Sequence, residues 1–328
     1  MSTVSVIVTT YRRPRSLAAC LEGLRGQVRR ADELLVVVHE ADDESARHVD
    51  ALATSWPALR RVPVASPGFL AALNAGLAAA TQEIVAFVDD DAVASPEWIA
   101  RLEATFACDT RIAGAGGRDI VSTNGRIAGR EGRGILGRYR GAPPVGRIQW
   151  FGRQIGNHHI GTGAPRDVDV LKGVNMAFRR SALSGRVFDQ RLRGTGTQVH
   201  TELSLCLPLR RRGLRLVYDP AIVVHHYPAP RSHGHERAEL ARDAIFARTY
   251  NEALQVLDYL PAAGRAAFAA WRLGFGTADA PGLANLARLL VTGAPAPGLR
   301  FVTAQRALLA AWRTHRAGPH GPHRARVA

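Results

Sequence analysis

The chain has 328 residues, 46% of them hydrophobic, and a formal net charge of +15, a composition that excludes a mostly disordered protein. Its three cysteines are far apart and odd in number, which excludes a disulfide framework or a paired-cysteine zinc site. No apolar run approaches the ~20 residues of a membrane-spanning helix, and a strand pattern begins where a signal peptide would lie. We therefore expect a cytoplasmic protein that does not span the membrane.

The positive charge fits three classes of partner: nucleic acid, an anionic membrane surface, or a substrate rich in phosphate. Lys172 is the only lysine among 43 basic residues, so we attribute part of the imbalance to coding bias towards arginine. The arginines are dispersed, and no nucleic-acid-reading motif is visible. The sequence therefore predicts no nucleic-acid partner.

The first hundred residues alternate between short apolar strands and helical patterns. Residues 4–10 form a β-branched run, and the turn after them leads into a helix with Leu17, Leu21 and Leu24 on one face. Further strands are predicted at 33–38, 61–64 and 84–88, and helical patterns follow the first two of these. Such alternation predicts a doubly wound α/β fold with a parallel sheet, whose ligands bind beyond the carboxyl ends of the strands.

Three consecutive carboxylates, Asp89, Asp90 and Asp91, close the fourth predicted strand. Adjacent carboxylates raise one another's pKa unless a cation neutralises them. Strand alternation points Asp89 and Asp91 to one side and Asp90 to the other. Hard oxygen ligands favour Mg²⁺ or Mn²⁺ bridged to diphosphate oxygens. An acidic turn capping the next helix is the alternative, but the position at the mouth of a parallel sheet favours the metal.

The second half of the chain is predicted to contain a helix that ends at Gly213, then a strand at 215–218 and an apolar run closed by His225 and His226. A long helix is predicted over 236–260. Beyond it, residues 262–312 carry apolar stripes that resemble helices resting on a membrane surface. Packing against the catalytic region is the simpler explanation, and a peripheral membrane contact is the alternative. The arginines in these stripes are Arg265, Arg272, Arg288 and Arg306.

Five segments, in order, resemble the family 2 glycosyltransferases with the GT-A fold. They span roughly residues 4–228, and they are SVIVTTYRRP, VVVHEADDES, LNAGLAAATQEIVAFVDDDA, KGVNMAFRR and the stretch from Glu202 to His226. Each segment alone is a weak signal, but the ordered set is strong. The resemblance implies a doubly wound, mixed and mostly parallel sheet with a C-terminal helical extension. It also implies a nucleotide-diphosphate sugar donor (UDP-, GDP- or dTDP-linked), a Mn²⁺ or Mg²⁺ cofactor and transfer with inversion.

The same resemblance assigns residues to the donor. The loop after the first strand lies where the family touches the nucleotide, and Glu40 lies where an acidic residue hydrogen-bonds the base. Most members have two acids or Asp-Asn where this chain has His39 and Glu40, which leaves the base open. The donor residues implied in this way are Thr9, Tyr11, Arg12, Glu40, Asn74, Asp89, Asp90, Gly173 and Asn175.

The resemblance also implies the catalytic and metal-binding residues. Counting back from Gly213, Glu202 matches the family's catalytic aspartate, and a partly buried carboxylate can take the proton of an acceptor hydroxyl. Thr201 and Ser204 replace the accompanying acids, so a role of Glu202 at the helix terminus is the alternative. His226 lies where similar enzymes have a third metal ligand beside Asp89 and Asp91.

The glycine- and arginine-rich stretch over 121–169 is expected to form acceptor loops. Trp150, His158 and the following Lys172 are the candidates for contact with a glycan or lipid-linked acceptor, and packing of the loops is the alternative. The predicted organisation is a catalytic domain over 1–230, with a donor half to residue 120 and an acceptor half after it. A helical region over 231–316 and a disordered tail over 317–328 complete the prediction.

Three functions are consistent with these patterns. The first is a metal-dependent inverting glycosyltransferase of cell-envelope polysaccharide assembly, with Glu202 as base. The second is a sugar nucleotidyltransferase, which would need a glycine-rich phosphate loop that residues 11–15 do not supply. The third is an inactive nucleotide-sugar-binding homologue, suggested by the missing acids beside Glu202.

Overall fold

The computed structural model describes residues 1–123, 126–127, 144–194, 198–228 and 237–318. Most of the predicted tail and much of the predicted acceptor loops lie outside these residues. The strands are β1 (Val4–Thr10), β2 (Glu33–His39), β3 (Leu59–Val64), β4 (Ile84–Asp89), β5 (Ala92–Ala94), β6 (Ile112–Thr123), β7 (Arg126–Ile127), β8 (Arg147–Ile148), β9 (Gln154–Ile155), β10 (Arg166–Val168), β11 (Asn175–Arg179) and β12 (Arg215–His226).

Helices follow most of the strands, as the alternating pattern predicts. A short 3-10 helix over His158–Ile160 stands apart from them. The α-helices are α1 (Pro14–Arg25), α2 (Asp43–Ala53), α3 (Phe69–Ala79), α4 (Trp98–Cys108), α5 (Arg180–Leu183), α6 (Leu203–Arg211), α7 (Arg237–Tyr259), α8 (Ala262–Gly274), α9 (Leu283–Val291) and α10 (Pro297–Ala317).

The main sheet of the described residues has the strand order β10-β12-β6-β11-β4-β1-β2-β3. Strands β1 to β4 run parallel to one another, and β12 runs parallel to β6. Strand β11 is antiparallel to both of its neighbours, β4 and β6. The sheet is therefore mixed and mostly parallel, which confirms the predicted fold class.

The central strands are rich in apolar and β-branched residues because helices cover both faces of the sheet. All seven residues of β1 are buried. On one face, helix α3 approaches β1 so closely that a Cβ on Gly76 would lie 2.5 Å from the Ile7 side chain. In a strand with one face exposed to water, apolar and polar residues would alternate along the sequence instead. Close packing of this kind fixes the strand ends at which the loops begin.

The carboxyl end of β4 lies beside the carboxyl end of β1, with Asp89 paired to Thr9. After β4 the chain turns into β5, which pairs with the end of β12, so that Ala92 stands opposite His226. The Tyr227 amide also donates to the Asp91 carbonyl at 2.8 Å. These pairings bring the end of β12 against the turn after β4.

Strand β12 joins two pieces that the sequence predicts separately, the strand at 215–218 and the apolar run that follows. Its register against β6 shifts between Asp219 and Val223. At this shift the Ile222 carbonyl comes so near to β6 that a Cβ on Gly117 would lie 2.0 Å from its oxygen. Glycine permits this close backbone approach. The register shift determines which residues of β6 lie opposite the last residues of β12, Val223 to His226.

The chain divides into two units. The first unit comprises the described residues within 1–147, 155–188 and 205–232, and it contains the main sheet. The second comprises those within 148–154, 189–204 and 233–328. In the second unit α7, α8 and α10 share an apolar core that includes Tyr250, Leu254 and Phe268. Arg193 joins this unit through Asn251, whose amide oxygen accepts from the Arg193 N–H at 2.8 Å. None of the described helices is long and apolar enough to cross a membrane.

Asn175 joins three parts of the first unit, and its replacement is expected to destabilise the fold. Its side chain is fully buried and accepts from Trp98 Nε1 at 2.9 Å. It donates to the carbonyls of Ile222 and Arg118 at 2.9 and 3.2 Å. Asn175→Ala leaves these groups without partners, so the free energy of unfolding should fall by about 2 to 4 kcal/mol.

Urea unfolding followed by fluorescence measures this loss. Gln82→Ala, which removes an exposed hydrogen bond to Thr81, is the matched control and should change the free energy of unfolding by less than about 0.5 kcal/mol. Equal effects of the two substitutions would contradict the structural role of Asn175.

Candidate functional site

Asp89, Asp91 and His226 form a cluster at the carboxyl ends of β4 and β12. One potential ligand atom from each residue lies within 4.8 Å of the others, and His226 Nε2 is 3.3 Å from Asp91 Oδ1. All three side chains are partly buried. The structure thus brings together the three residues predicted to bind a metal. His225 lies opposite Val93 and Ile120 on the neighbouring strands.

The cluster carries more negative charge than its protein neighbours neutralise. Burial, and then the neighbouring Asp91, raise the pKa of Asp89 to about 7. Burial by itself lowers the pKa of His226, but the hydrogen bond with Asp91 and the nearby carboxylates raise it overall. Both shifts mean that the cluster retains protons near neutral pH. A divalent cation would displace these protons and supply the missing charge.

Asp90 points away from the cluster, as strand alternation predicts. It accepts from Thr10 Oγ1 at 2.7 Å and from Arg13 Nη1 at 3.1 Å. Burial nevertheless raises the pKa of Asp90 to about 6, although Arg13 acts in the opposite direction. Arg13 also lies 3.5 Å from Asp91 Oδ2. Asp90 therefore anchors the loop after β1, and a contact of Asp90 with the donor stays a prediction.

The loops after β1 and β2 form a polar surface at the same edge of the sheet. The rings of Tyr11 and His39 meet edge to face, with 5.5 Å between centroids, and the Arg12 guanidinium lies 5.1 Å from the Tyr11 centroid. The Glu40 side chain is exposed beside them, while its N–H donates to the Val64 carbonyl at 3.0 Å. Aromatic faces and exposed polar groups of this kind suit a nucleobase. Thr9 is buried at the end of β1.

Two residues that shape these loops were missed by the sequence analysis. The first is Arg13, which donates to Asp90. The sequence feature that could have indicated its role is a second arginine in the loop after β1, following Arg12. Asp42 is the second: its buried carboxylate accepts from the Arg12 N–H and from the Ser45 N–H at α2. Arg12 has a positive φ of 53°, and the bond to Asp42 holds it there. An aspartate three residues before Ser45, at a helix start, was the available signal.

Asn74 and Asn175, both predicted to contact the donor, make structural hydrogen bonds in the described fold. Asn74 bonds the Phe188 backbone with both amide atoms, at 2.8 and 3.1 Å. Asn175 holds Trp98 and two carbonyls as above. Gly173 lies in the turn before β11, which is closed by the Asn175 N–H donating to the Lys172 carbonyl at 2.8 Å. Their donor contacts remain predictions.

Asp119 is a third residue that the sequence analysis missed. It is 3% exposed on β6 and lies beside Val224, two residues before His226 on β12. Since alternate residues share a face, Asp119 and His226 face the same side of the sheet. Among the described residues, neither Asp119 Oδ1 nor His226 Nδ1 has a hydrogen-bond partner. The sequence feature that could have indicated Asp119 is a carboxylate within a strand that is otherwise largely apolar and rich in glycine. Two unpaired buried atoms near the cluster suit a polar ligand or cation there.

The residues predicted to contact the acceptor lie in different settings. His158 is buried in the first unit, where Nε2 lies 3.0 Å from the Val170 carbonyl, and burial lowers its pKa to about 4. These are contacts of a packed loop residue. Lys172 is exposed, and its charge acts on Asp89 and Asp119. Trp150 belongs to the second unit and is 74% exposed.

Glu202 also belongs to the second unit and directly precedes α6. It is partly buried. The turn into the helix is closed by Ser204, whose N–H and hydroxyl both donate to the Thr201 carbonyl, at 3.1 and 2.6 Å. The residues that replace the family's acids thus cap this turn. The role of Glu202 as base stays a prediction.

Comparisons with known proteins identify the family of the chain. The model of the family described as "Glycosyltransferase like family 2" matches residues 2–244. The amylovoran biosynthesis glycosyltransferase AmsE of Erwinia amylovora is 35% identical over 99 residues, which are 28% of this chain and 36% of that protein. An uncharacterized glycosyltransferase of Nostoc sp., alr2836, is 30% identical over 122 residues, which are 37% of this chain and 38% of that protein. The matches thus span little more than a third of either relative.

Solved structures share the fold. The structure of GalNAc-T7 with UDP, GalNAc and Mn²⁺ has a TM-score of 0.57 at 15% identity, covering 78% of this chain and 51% of that one. The mannosyltransferase PcManGT from Pyrobaculum calidifontis, in complex with GDP-Man and Mn²⁺, has a TM-score of 0.52 at 21% identity, covering 96% and 87%. At these identities the likeness concerns the GT-A fold.

The raised pKa values of the cluster predict a pH-dependent effect of Mn²⁺ on stability. Because the folded protein holds the protons of Asp89, Asp90 and His226 more tightly than the unfolded chain, its metal-free stability falls as pH rises from about 4, the ordinary pKa of a carboxylate, to about 7, the folded pKa of Asp89. A bound cation would compensate the negative charge that the cluster gains over this range. Mn²⁺ should therefore raise Tm more at pH 8 than at pH 5.5, as measured by differential scanning fluorimetry.

Two variants control this measurement. Asp91→Asn should abolish the increase in Tm at both pH values. Asp50→Asn, which removes a surface carboxylate 2.7 Å from Arg61, should leave it intact. An equal increase at both pH values, or one retained by Asp91→Asn, would show that the cation binds elsewhere.

Proposed function

We propose a defined reaction for this chain, which belongs to the glycosyltransferase-like family 2. The enzyme transfers a sugar from a nucleotide diphosphate donor to a hydroxyl group of a glycan or lipid-linked acceptor, with inversion at the anomeric carbon. The observation that carries this proposal is the cluster of Asp89, Asp91 and His226 at the carboxyl ends of the strands. Ligands of doubly wound folds bind at this edge.

The ligand atoms that the cluster offers fit a divalent cation. Two carboxylates and an imidazole suit Mn²⁺ better than Mg²⁺, because imidazole is a ligand that transition metals favour. Both structural relatives named above contain Mn²⁺. When bound, the cation supplies Lewis-acid stabilisation of the negative charge on the departing diphosphate. Asp89, Asp91 and His226 are the residues that would hold it.

The nucleotide would occupy the surface formed by the loops after β1 and β2. Tyr11 and His39 offer aromatic faces, and Glu40 offers a carboxylate for the edge of the base. Asp42 positions the backbone of Arg12, so this surface is formed before the ligand arrives. Preorganisation lowers the entropic cost of binding. The base is proposed to be that of a UDP-, GDP- or dTDP-sugar.

Glu202 is the proposed base. It would take the proton of the acceptor hydroxyl as the acceptor oxygen bonds to the anomeric carbon, while the bond from that carbon to the diphosphate breaks. A single displacement inverts the anomeric configuration. The reaction requires no covalent enzyme intermediate. The name of AmsE, a glycosyltransferase of amylovoran biosynthesis, supports a role in building a polysaccharide, which we place in the cytoplasm at the cell envelope.

A ligand panel identifies the donor before the chemistry is tested. Thermal shifts with UDP, GDP, dTDP and their sugars, with and without Mn²⁺, report binding to the folded protein. Asp91→Asn should remove the Mn²⁺-dependent shift, because the ligands of the cation are lost.

A substitution of the proposed base then separates catalysis from donor binding. Glu202→Gln should lower kcat by about 10²- to 10⁴-fold, measured as nucleoside diphosphate release with an acceptor panel, while donor binding stays unchanged. Glu44→Gln, an exposed carboxylate of α2, is the matched control and should keep full activity. Undiminished turnover in Glu202→Gln would refute Glu202 as base. Donor binding by the unaltered chain with no transfer to any acceptor would indicate an inactive homologue, and pyrophosphate release from a nucleoside triphosphate would indicate a nucleotidyltransferase.

A further inference from the structure

Helix α9 exposes apolar side chains on one face. Leu283, Ala287, Leu290 and Val291 are all exposed, and their spacing of four, seven and eight residues from the first places them on one side of the helix. Leu290 and Val291 are 61% and 88% exposed. The opposite side is the one that packs inward, since Leu289 is 7% exposed. A helix that needed only an internal contact would expose polar residues instead.

Helix α10 carries a second exposed stripe, whose residues are again spaced so that they lie along one side of the helix. Leu299, Val302, Arg306, Leu309 and Arg313 are exposed, and they recur at intervals of three and four residues, which places them in one line along the helix. The other side of α10 enters the core of the second unit through small residues. These are Ala307 and Ala311, which are fully buried beside α7.

The end of α8 also exposes apolar side chains. Leu273 and Phe275 are 51% and 63% exposed there. The Gly282 N–H and the Asn285 side chain both donate to the Phe275 carbonyl at 2.9 Å, which fixes the start of α9 against this end of α8. We call the following exposed residues the C-terminal apolar surface: Leu273, Phe275, Leu283, Leu290, Val291, Leu299, Val302 and Leu309, with Arg288, Arg306 and Arg313.

Two of the four arginines in the predicted amphipathic stripes do not belong to this surface. Arg272 is 2% exposed and lies 3.4 Å from Glu252, and Arg265 is partly buried, with Nε donating to the Leu257 carbonyl at 2.9 Å. The stripe residues of α8 therefore pack within the second unit. Arg288 of α9 and Arg306 of α10 are exposed, so the exposed arginines of these stripes lie on α9 and α10.

The charged side chains of α9 and α10 are all basic. Residues 281–318 contain five arginines and no aspartate or glutamate. Asp279, the last acid of the chain, lies 3.4 Å from Arg300. Exposed apolar side chains beside uncompensated arginines match an anionic lipid surface, because the apolar groups leave water and the guanidinium groups bind headgroups. A second copy of the chain would bring two arginine-rich faces together, which like-charge repulsion opposes.

We propose that α9 and α10 bind an anionic lipid surface through the residues named above. The long arginine side chains reach the headgroups while the leucines and valines enter the boundary of the acyl chains. This contact places the second unit on a membrane without a spanning helix. It depends on no step of the proposed reaction.

Co-sedimentation of the full chain with lipid vesicles tests the proposal. Vesicles of phosphatidylcholine with about 30% phosphatidylglycerol should bind the protein, pure phosphatidylcholine should bind it at least about tenfold more weakly, and 0.5 M NaCl should reduce the binding. The double variant Leu290→Glu/Val291→Glu should lose at least about tenfold in affinity. Arg306→Gln/Arg313→Gln should lose affinity for the anionic vesicles alone.

Matched controls lie in the first unit. Val28→Glu changes a side chain that is 77% exposed, and Arg25→Gln/Arg30→Gln removes two exposed arginines, and both variants should bind vesicles as the unaltered chain does. An unchanged circular dichroism spectrum and an unchanged Tm show that each variant is folded. Failure to bind anionic vesicles, equal binding to neutral ones, or full binding by the α9 variant overturns the proposal. A dimer in analytical ultracentrifugation that the α9 variant abolishes, without vesicle binding, assigns the surface to a second copy.

Discussion

Repulsion among three consecutive carboxylates at the end of β4 is the constraint on which the site depends. The fold separates them, because Asp90 bonds Thr10 and Arg13 while Asp89 and Asp91 meet His226. These partners do not complete the neutralisation, since the pKa of Asp89 remains at about 7 and that of Asp90 at about 6. A cation at the cluster would remove a cost that the protein alone does not offset.

The topology explains why these residues meet. Strand β4 ends beside β1, so the loop after β1 reaches Asp90, and β5 returns along the end of β12, so His226 reaches Asp91. Asn175 ties β11 to α4 and to the irregular part of β12. The irregular register of β12 against β6 decides which of its last residues face the cluster. The geometry of the site is thus set by strand pairings, and no single loop defines it.

Much of this could be predicted from the sequence. The run 4–10 is the strand β1 as predicted, because β-branched residues are favoured in a strand that is buried on both faces. The resemblance placed His226 beside the aspartates. Arg13 and Asp42 escaped prediction because each bonds a residue far along the chain: Arg13 bonds Asp90, 77 positions away, and Asp42 bonds Arg12, 30 positions away. Asp119 escaped because its place beside the end of β12 depends on the pairing of two strands distant in sequence. Similarly, Asn74 meets Phe188 across 114 positions. Periodicity reports which face of an element is buried, and it carries no information about such pairings.

The net charge is also a property whose meaning the sequence leaves open and the structure narrows. A value of +15 could suit several partners, because composition does not say where charge is compensated. In the first unit many arginines are paired with acids, as Arg215 is with Asp109 and Asp167. Residues 281–318 contain five arginines and no acid, which is a third of the net charge of +15. In this part of the described chain the positive charge lies where apolar side chains are also exposed, whereas the predicted donor site is dominated by carboxylates. Position within the fold, more than the total, decides what a basic protein attracts.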